Sequence, residues 1–172
     1  MTDFAIHALA VGNGTIALSP MPGRGGAYSH DLAVVHDWQP DLVISMTTTP
    51  EMAQNGAEGL GCDLADHNIA WAHLPVQDFG APSPEIDALW AELSTQVEQI
   101  LSRRGKVLVH CRGGCGRSGM VVLRIMVAHG EAPAAALARL RAVRPCAVET
   151  EDQAAWAAQA ARLDHISGQS AT

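Results

Sequence analysis

Lysine is almost missing from this chain: Lys106 is the only one, against ten arginines. Basic residues of both kinds total 11 against 18 acidic ones, a net charge of −7, which disfavours nucleic acid as a partner for the whole surface. No apolar run approaches the length needed to cross a bilayer. The N-terminus MTDFAIHALAVGNG has no basic stretch, so a secretory leader is not expected. Four cysteines, Cys62, Cys111, Cys115 and Cys146, are too few and too unevenly spread for a disulfide scaffold, and a reducing, cytoplasmic setting is expected. Internal repeats and low-complexity linkers are also missing, so residues 1–172 are read as one domain.

What is present is an α/β pattern. FAIHALAV (4–11) and TIALSPM (15–21) flank Gly12-Asn13-Gly14, a hairpin signal. Residues 29–38 suit a helix capped by Ser29, and Pro50 to about Gly59 suits another. LVISM (42–46) and IAWAHLPV (69–76) are strand-like. Ser83-Pro84 opens the longest helix, with Ile86, Leu89, Trp90, Leu93, Val97, Ile100 and Leu101 at core-facing spacing. KVLVH (106–110) reads as a buried strand, 117–129 as a central helix, and 133–143 and 151–166 as two more helices. The expected fold is a mostly parallel central sheet of about five strands with one antiparallel edge hairpin, flanked by helices.

Chemistry concentrates in VLVHCRGGCGRSG (107–119). A glycine-rich turn between a buried strand and a helix start is an anion cradle, because its amides converge and the helix dipole adds positive charge. The nucleotide-binding pattern G-x-x-x-x-G-K-[ST] does not fit, since Cys111 stands at its first glycine and Arg117 at its lysine. What remains is His-Cys-x5-Arg-Ser. A cysteine at the base of a cradle lies in a field that favours its thiolate. Arg117 can grip two phosphate oxygens at once.

HCRGGCGRSG resembles the signature of the cysteine-dependent protein tyrosine phosphatase superfamily. LPVQDFGAPS (74–83) resembles its acid loop, and LRAVRPCAVETEDQ (140–153) the segment after the signature. Together they look like the small dual-specificity branch of the kinase-associated type. The resemblance implies hydrolysis of phosphotyrosine, and of phosphoserine and phosphothreonine, through a phosphocysteine on Cys111. Arg117 would bind phosphate, with Arg112, Gly113, Gly114, Cys115 and Gly116 completing the loop. Asp78 would be general acid and base, and Ser118 would assist sulfur departure. His110 would orient the loop. Gln153 would position water, although Thr150-Glu151-Asp152-Gln153 equally reads as a capping box.

The family needs no metal or other cofactor, and Cys62, Asp63, Asp66, His67 and His73 match no compact metal motif. Cys115 is expected to be an apolar filler of the loop, with a reversible disulfide to Cys111 as the alternative. Arg139, Arg141 and Arg144 read as a solvated helix face. Arg112 at the rim makes phosphoinositides or other small phosphomonoesters the alternative substrates. A phosphate-binding pseudo-phosphatase would not need both Cys111 and Asp78, and a rhodanese-like sulfurtransferase has no use for the acid loop. The expected partner is a phosphorylated protein or small phosphomonoester, and the expected state is a monomer.

Overall fold

The computed structural model describes residues 4–160. Five strands form one sheet: β1 (His7–Val11), β2 (Gly14–Ser19), β3 (Leu42–Ser45), β4 (Ala70–His73) and β5 (Lys106–His110). Their order is β1-β2-β5-β3-β4. Only β1 and β2 pair antiparallel, as the glycine turn between them demands; the other three pairings are parallel. The hairpin lies at one edge, as expected from the sequence.

Alternation along the strands feeds two cores. Ile16, Leu18, Leu42, Ile44, Val107 and Val109 point to one face, and Ala17, Val43 and Leu108 to the other. On the first face lie α4 (Pro84–Ser102), α5 (Gly116–Ala128), α6 (Pro133–Val143) and α7 (Glu151–Ala158); on the second lie α1 (Tyr28–Trp38), α2 (Thr49–Gln54) and α3 (Leu60–Asp66). A strand covered on both sides has no polar face, which is why KVLVH is nearly all apolar. Helix α5 is buried almost all round, from Gly116 to Val127.

Several expectations need correction. Ser29 does not cap α1; that helix begins at Tyr28 after Ala27, without a side-chain cap. The helix expected from Pro50 to about Gly59 is shorter, α2 ending at Gln54, and α3 beyond it is unexpected; α2 is capped by Thr48 in a reciprocal box with Glu51. Leu89 is 48% exposed, whereas Trp90, Leu93, Val97, Ile100 and Leu101 are buried as expected. Helix α7 is described only to Ala158, and residues 161–166 of the expected last helix lie outside the described residues.

Register places the site. Ser19 and Ser45 both lie level with His110, so β2, β3 and β5 end together. The chain leaves β5 between two parallel neighbours and enters the crevice at the carboxyl ends of the strands, where open α/β sheets bind ligands.

Candidate active site

Residues 111–115 link β5 to α5, and Cys115 stands as the helix N-cap. Gly114 has φ +68°, and a Cβ there would lie 2.5 Å from the Pro20 nitrogen, so only glycine fits. At Gly116 a Cβ would collide with the carboxylate of Glu149 and the amide of Gln153.

Four successive carbonyls of the loop are engaged from outside. The Arg112 carbonyl accepts from Met21 N, and the Cys115 carbonyl from Val148 N, each at 3.3 Å. Arg144 donates to the two between, from Nη2 to the Gly113 oxygen (2.9 Å) and from Nε to the Gly114 oxygen (3.1 Å). A peptide's N–H points opposite to its C=O, so this arrangement turns the amides of residues 113–116 toward the inside of the loop. Among the described residues, those amides have no hydrogen-bond acceptor. The result is a ring of unsatisfied donors at a helix N-terminus.

The Cys111 sulfur is buried at the foot of this ring, 3.3 Å from Ser118 Oγ. Arg117 is buried too. Its Nη1 and Nη2 each donate to one Glu51 carboxylate oxygen at 2.8 Å, and Nη1 also donates to the Val76 carbonyl. Burial opposes ionisation of Glu51, but the hydrogen bonds from Arg117 and Thr48 outweigh it and hold the carboxyl at about 2. Burial also works against the Arg117 charge, yet Glu51, Cys111 and Asp78 raise its pKa overall. Its Nε is buried with no partner among the described residues. Sequence reasoning missed Glu51; the Thr48-x-x-Glu51 capping pattern was there to be read, but it marks only a helix start.

His110 is fully buried, and its Nε2 lies 2.5 Å from Ser45 Oγ, which in turn accepts from Trp71 Nε1 at 2.8 Å. The other ring nitrogen, Nδ1, is buried with no hydrogen-bond partner among the described residues. Burial pushes the His110 pKa down to about 4.

Asp78 reaches the site from the loop before α4. Its Oδ1 lies 3.3 Å from Arg117 Nη2, with the side chain 44% exposed. The same loop is tied to the start of α7: Thr150 Oγ1 donates to the Phe79 carbonyl and Gln153 Nε2 to the Gly80 carbonyl. Gln153 is buried, and its backbone N–H bonds Thr150 as an N-cap requires. Its side chain does not return to the cap. It accepts from Glu149 N instead and packs against Gly116.

The structure thus brings together Cys111, Arg117, Asp78, Ser118, His110 and Gln153. A profile described as "PTP-SAK: Swiss Army Knife protein, DSP-PTPase phosphatase domain" matches residues 41–163, which span β3 to α7 and hold all six. The chain belongs to this family. It is a phosphatase domain of the dual-specificity type by family. It is 34% identical over 80 residues to cyclin-dependent kinase inhibitor 3 of Rattus norvegicus, a match that covers 45% of this chain and 36% of the rat protein. The match therefore spans about a third of that relative's length. The phosphatase domain also superposes on kinase associated phosphatase bearing serine for its catalytic-site cysteine, with TM-score 0.79 and 22% identity, over 91% of this chain and 93% of the other. The active form of Tk-PTP gives TM-score 0.68 and 30% identity, covering 87% and 92%.

Two expectations about this phosphatase domain need correction. Cys115 is neither an apolar filler nor paired with Cys111: it forms a disulfide with Cys146, while Cys111 is free. The solvated face expected of the three arginines of the 139–144 segment holds for Arg139 and Arg141, which are exposed, and fails for Arg144, which is half-buried. Arg139 pairs with Glu131, Arg141 holds the carbonyls of Ala147 and Val148, and Arg144 holds the phosphate loop. Sequence spacing could not show either, because both depend on how the turn after α6 folds back.

Proposed function

We propose that the protein hydrolyses phosphotyrosine, and with it phosphoserine and phosphothreonine, through a phosphocysteine. The observation that carries this is the ring of inward amides around a buried cysteine, with the unpartnered Nε of Arg117 beside it. Amides 113–116 and Arg117 would hold the non-bridging phosphoryl oxygens, a preorganised electrostatic contribution that needs no reorganisation during reaction. The Cys111 thiolate would attack phosphorus as the ester P–O bond breaks, and Asp78 would deliver its proton to the leaving oxygen. Water would then displace the sulfur, giving its proton to Asp78, while Ser118 Oγ stabilises the departing thiolate. Gln153 would orient that water. Neutral His110 would fix the loop and move no proton. Glu51 would act through Arg117, holding its fork in place.

Phe79 supports an aryl leaving group. It follows Asp78 directly, is 60% exposed, and has φ +61°, a strained setting for a bulky residue. An exposed aromatic beside the acid offers a face for a phosphotyrosine ring. A second reading, phosphoinositides or other small phosphomonoesters, is favoured by the basic rim. Arg112 and Arg24 are both exposed, and Arg24 Nη1 lies 4.0 Å from where a Gly113 Cβ would be.

The test is wild type and Cys111→Ser against phosphotyrosine, phosphoserine/threonine and phosphoinositide substrates without added metal. Turnover by wild type alone, with phosphate binding retained in Cys111→Ser, is expected. Turnover by the serine variant at the wild-type rate would remove Cys111 from the chemistry. A strong phosphoinositide preference would favour the second reading.

A further inference from the structure

The turn after α6 touches the outer surface of the phosphate loop at several atoms, and the proposed chemistry uses none of them. Arg144 spans the Gly113 and Gly114 carbonyls, its Nη2 also lies 3.8 Å from Cys115 Sγ, and its Nη1 lies 3.3 Å from His7 Nε2. Two residues later Cys146 is bonded to Cys115. Val148 N completes the contact at the Cys115 carbonyl. Both bridges end on the residues whose peptides supply the inward amides.

Rotating either peptide of Gly113 or Gly114 would turn an amide out of the ring and a carbonyl oxygen into it. An inward carbonyl repels a phosphoryl oxygen. Glycine offers little resistance to such a flip, so something else must hold these peptides. Arg144 is suited to this, because its planar fork fixes two carbonyl directions at once, and lysine could reach only one. The disulfide holds Cys115, and with it the next amide in the ring.

We propose that residues 144–146 are a two-point clamp that sets how tightly the loop holds phosphate, with Arg144 as a positioning residue and the Cys115–Cys146 bond making the grip responsive to thiol reductants. This rests on the phosphatase reading of the loop. A dithiol reductant would break the Cys115–Cys146 bond, leaving two thiols and closing its own sulfurs into a cyclic disulfide. The loop carbonyls would then be held by Met21, Arg144 and Val148, without the covalent tie.

Inorganic phosphate titrated calorimetrically into Cys111→Ser protein tests the clamp without the nucleophile. Arg144→Gln in that background is expected to weaken phosphate by about tenfold, the scale of one lost hydrogen bond to a charged group. Arg144→Lys should recover part of the loss. Arg139→Gln, on α6 just before that turn and paired among the described residues with Glu131 and the Ala10 carbonyl, should leave affinity unchanged. Dithiothreitol, with opening of Cys115–Cys146 verified by mass spectrometry, should weaken phosphate several-fold. Should Arg144→Gln fail to fold, Arg144→Lys and the reduced parent carry the same test.

The clamp is overturned if Arg144→Gln or Arg144→Lys binds as the parent does, if Arg139→Gln loses as much, or if verified reduction leaves affinity unchanged. A parent that binds no phosphate overturns the proposed function and the clamp together. Normal parent binding with unaffected variants overturns the clamp alone.

Discussion

At the scale of single residues, the site is organised by charges that cannot be left alone. Arg117 is buried against Glu51, and removing one member of such a pair strands the other. Glu51→Gln is therefore expected to lower unfolding free energy by about 3 kcal/mol and to reduce kcat/KM, read by urea melts and by p-nitrophenyl phosphate kinetics. Unchanged kinetics would show that the fork of Arg117 needs no anchor. Asp78→Asn should slow poor leaving groups strongly and good ones little. Equal losses across a series of aryl phosphates would move the acid elsewhere. His110 gives a pH signature. Its folded pKa of about 4 lies below the ordinary 6.5, so between those values the unfolded chain binds the proton that the folded one refuses. Stability should fall as pH drops from 6.5 to 4, by roughly 3 kcal/mol from this group. Glu51, held at about 2 against an ordinary 4.5, continues the loss as pH falls below 4.5. A urea midpoint that stays flat from pH 6.5 to 4 would show that the buried imidazole becomes charged at little cost.

Among the elements, α4 and α5 differ in how much of their surface is covered. Helix α4 keeps a solvent side, and Leu89 lies on it despite helical spacing that fits the core face. Helix α5 is enclosed because the sheet, α6 and α7 all pack against it. Leu123→Ala, at 2% exposure, should cost about 2 to 5 kcal/mol, and Leu89→Ala no more than about 0.5. Comparable costs in urea melts would mean that something covers Leu89. The burial of α5 serves the site, since its first turn carries Arg117 and Ser118 and cannot shift without opening the core.

For the whole molecule, the Cys115–Cys146 bond closes 31 residues that include all of α5 and α6. In the chain-entropy account such a closure contributes roughly 3 to 4 kcal/mol by restricting the unfolded chain. Verified reduction of Cys111→Ser protein should lower unfolding free energy by about that amount. A melt insensitive to reduction would show that the reduced chain stays equally constrained by other means. Among the described residues no helix is long and apolar enough to cross a membrane.

Local covalent logic made much of this legible in the chain alone. The glycine turn dictated the β1–β2 hairpin, Ser83-Pro84 the start of α4, and the two-sided burial of β5 its apolar run. The order His-Cys-x5-Arg-Ser pointed to the anion cradle, because backbone donors and a helix start follow from nearby residues. Other features needed the folded chain. Glu51 finds Arg117 across 66 positions, Ser45 finds His110 across 65, and Cys115 meets Cys146 rather than Cys111. Gln153 shows both levels at once: its backbone obeys the local cap, while its side chain goes to a loop brought there by the sheet. Pattern reports what a residue can do with its neighbours in sequence. Which distant partner satisfies a buried charge, ring or thiol is set only when register and packing bring them within bonding distance.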